Sequence, residues 1–263
     1  RDPDAHWPRV PGGPLVEPAA PGRIGAARAR SAQVAWSLVR RAEALHDGTR
    51  ARPALLAGGP VFRLPADDAD GADDAGGPGG PQVALTVDDG PDPRWTPRLL
   101  DVLDAHGVRA TFFVIGERAA RHPELLRRTL AAGHTLANHS HTHPQPFAAL
   151  PPAAIEAELR RTQQAILDAT GQAPQLFRAP AGGWSRSVLA AARGLGLTPA
   201  DWSVDPKDWR APPAARIART VLGAGPGDII LCHDGGGDRS GTVSALATAL
   251  GTLRDRGVRF RTL

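Results

Sequence analysis

From residue 82 onward, short apolar runs alternate with stretches of helical periodicity. The runs are "QVALTV", "ATFFVI", "HTLANH", "QLFRAP", "ADWSV", "DIILCH" and "VRFRTL". Between them, apolar residues recur three or four apart at Leu99-Val102-Leu103, Leu125-Leu126-Leu130, Ile155-Leu159-Ile166, Val188-Leu189-Ala192, Ile217-Val221 and Val243-Leu246-Leu250-Leu253. That spacing places each set on one face of an amphipathic helix. Strands that are largely apolar are buried on both faces, so the repeated strand–helix units predict an α/β fold with a parallel sheet covered by helices.

Upstream the pattern is thinner. Val34, Leu38, Ala42 and Leu45 predict one amphipathic helix over 31–46, too little for a domain of its own. Residues 66–81, "ADDADGADDAGGPGGP", can bury almost nothing and read as a flexible acidic linker rather than a metal site. The expected organisation is therefore an N-terminal extension over 1–65, a linker over 66–81 and a main domain over 82–263.

Polar residues narrow the architecture. Asp88-Asp89, His139, Arg178, Asp205 and His233 each fall at the C-terminal end of a predicted strand. In a closed β/α barrel those ends converge on one mouth, where such folds carry their active sites. A barrel is therefore favoured over an open sheet.

Composition excludes several classes. A chain of 263 residues, 41% hydrophobic and 22% charged, suits one sizeable domain with extra material at an end. The net charge of +4 comes with scattered arginines, so no nucleic-acid footprint is expected. Cys232 is the single cysteine and forms no internal disulfide. No apolar run approaches the roughly 20 residues needed to span a membrane. A cleaved signal would leave no trace in the chain, which has no Met, so localisation has to follow from function.

The chemistry concentrates in two stretches. In "NHSHTH", a helical turn would put His139 and His143 at i and i+4 on one face, able to chelate a cation, while His141 points elsewhere. The spacing alone also fits a solvated polar turn. In "TVDDGPDP", Asp88 and Asp89 are adjacent like charges. The juxtaposition makes sense if one carboxylate binds a cation together with the two histidines and the other stays available as a general base.

Taken together, "TVDDGPD", "HSHTH", "FRAPAGG", "DPKDW" and "LCH" resemble, in order, the five motifs of the polysaccharide deacetylases, the NodB-homology or carbohydrate esterase family 4 enzymes. The resemblance spans roughly residues 82 to 263. It implies a distorted (β/α)7 barrel and metal-dependent removal of acetyl groups from amino-sugar material, with peptidoglycan or a chitin-like glycan as substrate. Position by position it implies Asp88 as general base held by Arg178, and Asp89, His139 and His143 as ligands of a divalent metal, Zn²⁺ before Co²⁺. It implies His233 as general acid oriented by Asp205, Leu231 and Trp209 as walls of the acetyl pocket, and the Ala181 N–H as an oxyanion donor. It also implies an extracellular or cell-envelope location. Ala181 stands where the family usually has an aromatic residue; Trp184 either replaces that wall or packs a loop. Trp95 either contacts sugar or fills core. An O-acetyl esterase, an amidase acting on a small acylated metabolite and an inactive glycan-binding barrel are the alternative functions.

Overall fold

The computed structural model describes residues 59–65 and 80–263. The helix expected over 31–46 and most of the acidic stretch at 66–81 lie outside the described residues. Among the described residues there are seven parallel strands: β1 (Gln82–Asp88), β2 (Thr111–Val114), β3 (Thr135–Asn138), β4 (Leu176–Phe177), β5 (Thr198–Pro199), β6 (Ile229–His233) and β7 (Arg259–Arg261). The helices between them are α1 (Thr96–Ala105), α2 (Gly116–Arg121), α3 (Pro123–Ala131), α4 (Pro152–Thr170), α5 (Arg186–Gly194), α6 (Ala214–Leu222) and α7 (Ser240–Asp255). The apolar stripes read from the sequence are the buried faces of α1 and α3 to α7.

The strand order is β5-β4-β3-β2-β1-β6, with β7 also pairing the start of β1. Register brings the C-terminal ends level. Asp88 stands opposite both Phe113 and His233, Val114 opposite Asn138, and Asn138 opposite Phe177. A chain turning off each strand therefore leaves the barrel at one mouth.

The two faces of the sheet bury different chemistry. Val83, Leu85, Val87, Phe112, Val114, Leu136, Ile230 and Cys232 pack outward against Leu99, Leu103, Leu246 and Leu250 of the helix layer. The alternate positions face inward, where Phe113, Ala137 and Ala200 meet, and where Thr86, Asp88 and the fully buried Arg178 also lie. Cys232 sits in the outer layer, as its alternation with His233 requires.

The barrel is distorted at one seam. β5 occupies Thr198–Pro199 rather than the expected "ADWSV", because residues 200–204 cross from one edge of the seam to the other. Ala200 bridges Val61 and Val204 bridges Ile230, so no continuous ladder forms there. Val61 also donates to Pro199 O at 2.9 Å and accepts from Asp201 N at 2.7 Å, while Leu64 N donates to Gly227 O at 2.8 Å. Phe62 and Leu64 are buried. The tail of the expected N-terminal extension thus fills the gap between β5 and β6, and residue 82 is not the first that packs in the barrel.

Candidate active site

Asp88 ends β1, with its side chain inside the barrel. Strict alternation would send Asp89 to the opposite face. Instead Asp89 has φ 73°, in the left-handed region, which turns its carboxylate back over the mouth. That conformation costs a non-glycine residue about 1 kcal/mol or more and persists where the surroundings hold it. As a result His139 Nε2 lies 3.7 Å from Asp88 Oδ2 and 3.5 Å from Asp89 Oδ1, and His143 Nε2 lies 3.4 Å from Asp89 Oδ1.

The two histidines do not meet across a helical turn as expected. The chain leaving β3 makes an irregular turn with φ 64° at Ser140 and 54° at His143, and this brings the two rings to a centroid separation of 5.0 Å. Asp89, His139 and His143 offer three ligand atoms within 4.8 Å of one another. Asp89 Oδ1 is buried without a hydrogen-bond partner, which suits a carboxylate oxygen meant for a cation. His139 Nδ1 lies 2.9 Å from Arg178 O; donating there directs the Nε2 lone pair at the same point.

Electrostatics favour positive charge at that point. Burial opposes protonation of His139, yet the Asp88 and Asp89 carboxylates outweigh it and raise its pKa. Burial and the neighbouring His139 lower the pKa of His143, keeping a neutral ring with a lone pair to donate. Burial alone would raise the pKa of Asp89, but the imidazoles of His139, His233 and His143 around it drive it well below the usual carboxylate range. His141 is not in this group. Its backbone N–H bonds Glu158 and its ring lies against Gly116, where a β-carbon would have no room.

Arg178 is buried completely. Its Nη1 donates to Asp88 Oδ1 at 2.7 Å and to Thr86 Oγ1 at 2.8 Å, and its Nη2 donates to Asp201 O at 2.7 Å. Its guanidinium carbon lies 4.1 Å from the centre of the Phe113 ring. Charge, hydrogen bonds and a ring face together fix the Asp88 carboxylate in one orientation.

His233 has a different partner from the one expected. Asp205 Oδ1 accepts from Lys207 N at 2.8 Å within its own turn. The carboxylate on His233 is that of Asp208, at 2.7 Å from Nδ1, and its other oxygen accepts from His233 N and from Thr242 Oγ1. Burial opposes the charged imidazole, but the Asp208 bond and charge, with Asp89 and Asp88 beyond, raise the His233 pKa to about 9.

The expected substrate residues divide. Leu231 shares the inward face of β6 with His233 and is buried, and Trp209 follows Asp208 and is 47% exposed. Ala181 is exposed in the turn after β4 with φ 52°. Trp184 is 0% exposed, donates to Asp201 Oδ2 at 2.8 Å and packs edge-on against Phe177, so it is core and does not replace the missing aromatic wall. Trp95 is 4% exposed beneath the guanidiniums of Arg94 and Arg98, so it too is core rather than a sugar platform.

Sequence reasoning missed Asp208, although "DPKDW" contains both acids, and it missed Asp234. Burial and the Asp89 charge push the Asp234 carboxyl up to about 7 against the Thr96 hydroxyl that bonds it. Asp234 packs on Gly90, where any side chain would collide with its oxygens, and so pins the turn after Asp89.

The sequence profile of the polysaccharide deacetylase family matches residues 75–200. A chitooligosaccharide deacetylase of Bradyrhizobium is 45% identical over 194 residues, which are 69% of this chain and 88% of that protein. A peptidoglycan-N-acetylglucosamine deacetylase of Bacillus cereus is 39% identical over 190 residues, 69% and 85% of the two chains. Among solved structures, a family 4 carbohydrate esterase from Streptomyces lividans, in complex with acetate, superposes with a TM-score of 0.65 at 38% identity. That likeness covers 68% of this chain and 91% of the other.

Proposed function

The chain belongs to the polysaccharide deacetylase family, and on that premise we propose that it hydrolyses N-acetyl groups of an amino-sugar glycan to free amine and acetate. The observation that carries the reading is the convergence at one mouth of Asp88, His233 and the Asp89, His139, His143 set. An anchored base, a protonated acid and a ligand set are what hydrolysis of an amide needs, and binding alone needs none of them.

Asp89, His139 and His143 would hold a divalent cation, Zn²⁺ before Co²⁺ for two imidazoles and one carboxylate, which when bound would supply Lewis acidity to the acetyl carbonyl and a water. The Asp88 carboxylate, aimed by Arg178, takes the proton from that water as its oxygen bonds the carbonyl carbon. His233 carries its own proton at neutral pH because of Asp208, and gives it to the nitrogen as the C–N bond breaks. Leu231 lines the inward face beside His233, and the exposed Trp209 offers a ring for the sugar to lie against.

The relatives named for chitooligosaccharide and for peptidoglycan support a polymer of N-acetylglucosamine type as substrate, and with it a place in the cell envelope or outside the cell. Acetate released from N-acetylglucosamine oligomers and from peptidoglycan tests the reading. Asp88→Asn is expected to retain metal and lose about 10²- to 10⁴-fold in turnover, whereas Asp89→Asn loses the metal itself. Release only from O-acetyl esters would reassign the enzyme, and full metal content in Asp89→Asn would exchange the roles of the two acids.

A further inference from the structure

The turn that carries both histidines of the ligand set has four successive backbone N–H groups, and each has an identifiable acceptor. Ser140 N bonds Asn138 Oδ1 at 2.9 Å and His143 N bonds Ser140 Oγ at 3.1 Å, so the two ends are tied by the turn's own side chains. The two middle donors, His141 N and Thr142 N, both bond one oxygen of Glu158 at 2.8 Å, and the Thr142 hydroxyl bonds its other oxygen at 3.0 Å. Glu158 belongs to α4, the 19-residue helix packed outside the barrel.

We propose that Glu158 is the positioning residue of the cation site, holding the Ser140–His143 turn in the shape that lets His139 and His143 bind one ion. The need for such a residue lies in the backbone. Ser140 and His143 both have positive φ, which side-chain-bearing residues adopt only where the surroundings hold them. Released from its acceptors, the turn relaxes toward ordinary backbone angles and carries His143 away from Asp89. Successive N–H groups facing one way form a concavity for an anion, and here the anion is part of the chain. The same helix holds the start of the turn, since Asn138 Nδ2 donates to Leu159 O at 2.9 Å while its oxygen accepts from Ser140. On the other side, Gly116 N and Glu117 N donate to the carbonyls of Ser140 and His141. Glu158 accepts three bonds from the turn and does so from a rigid element.

The inference rests on the metal-dependent reading, and Zn²⁺ titrated against a chromophoric chelator separates the two. Wild-type protein that takes up no Zn²⁺ would defeat the metal reading itself. With wild-type binding established, Glu158→Ala is expected to bind Zn²⁺ about 10- to 100-fold more weakly and to recover acetate release as Zn²⁺ is raised. Glu158→Asp keeps the charge but is one methylene too short to reach the turn, and shares the loss; it also serves if the alanine variant does not fold. Glu158→Gln presents an oxygen to the two N–H groups and an amide to the Thr142 hydroxyl, so it restores most of the affinity. Wild-type affinity in Glu158→Ala or Glu158→Asp would overturn the proposal. So would a Gln variant as weak as the alanine one, because charge rather than position would then be the cause.

Discussion

Asp208 and Asp205 are three residues apart, and which of them touches His233 depends on the direction each side chain takes from one tight turn. Asp205 is spent on the N–H of Lys207, an ordinary use of an aspartate two residues before a turn donor. Asp208 is buried and its two oxygens accept three bonds, two of them from His233. Its charge is what keeps His233 protonated, so its removal has a definite sign. In Asp208→Asn the hydrogen-bonded carboxylate is gone while burial remains, and the His233 pKa falls from about 9 toward or below its ordinary 6.5. The alkaline limb of the kcat/KM profile is expected to move to lower pH by the same amount, with the acidic limb left in place. A pH series of acetate release reads this directly, and an unmoved alkaline limb would take His233 out of the acid's role. Asp89 carries the same lesson about direction. Adjacent carboxylates were legible in the sequence, but only its left-handed backbone brings both to one side.

At the level of elements, periodicity read well wherever an element is amphipathic or buried throughout, and poorly where the chain changes partners. β1, β2, β3 and β6 coincide with their apolar runs. "ADWSV" looks like a strand by composition, but its backbone groups are divided between Val61 on one side and Ile229 on the other. Residues 60–64 gave no strand signal, since a short segment bridging a seam has neither alternation nor length. They nevertheless bury Leu64 against Ala84 and Ile229, far from the mouth. Leu64→Ala is expected to cost about 2–5 kcal/mol of stability by leaving a cavity, seen as a lower urea midpoint, while turnover per folded molecule stays near that of the parent. A large loss of turnover at unchanged stability would show instead that this segment acts on the site.

For the whole molecule, two buried histidines of the metal-free protein, His233 and His134, pull stability in opposite directions as pH changes. His233 binds its proton more tightly folded than unfolded, so its contribution is complete below 6.5 and is lost as pH rises through about 9. His134 is the reverse case. Burial and the nearby Arg109 lower its pKa to about 4, and its Nδ1 accepts from Ala110 N at 3.1 Å as a neutral ring must. Its stabilisation is complete above 6.5 and is lost as pH falls toward 4. Urea midpoints measured across pH in chelator should therefore decline from pH 7 to 9, and His134→Gln should remove the loss that His134 contributes between about 6.5 and 4 while leaving the alkaline decline in place. A midpoint still rising from pH 7 to 9 would contradict the His233 assignment. The sequence by itself determined the strand–helix alternation, the common end of the strands on which the polar residues lie, and the candidates Asp88, Asp89, His139, His143, Arg178 and His233, because periodicity and residue chemistry are local properties of the chain. Only the tertiary structure decided that Asp208 rather than Asp205 holds His233, that Trp95 and Trp184 are core, that residues 60–64 close the barrel and that Glu158 braces the histidine turn. Each of those is a contact between residues distant in sequence or a choice of side-chain direction within a turn, and neither leaves a period to read.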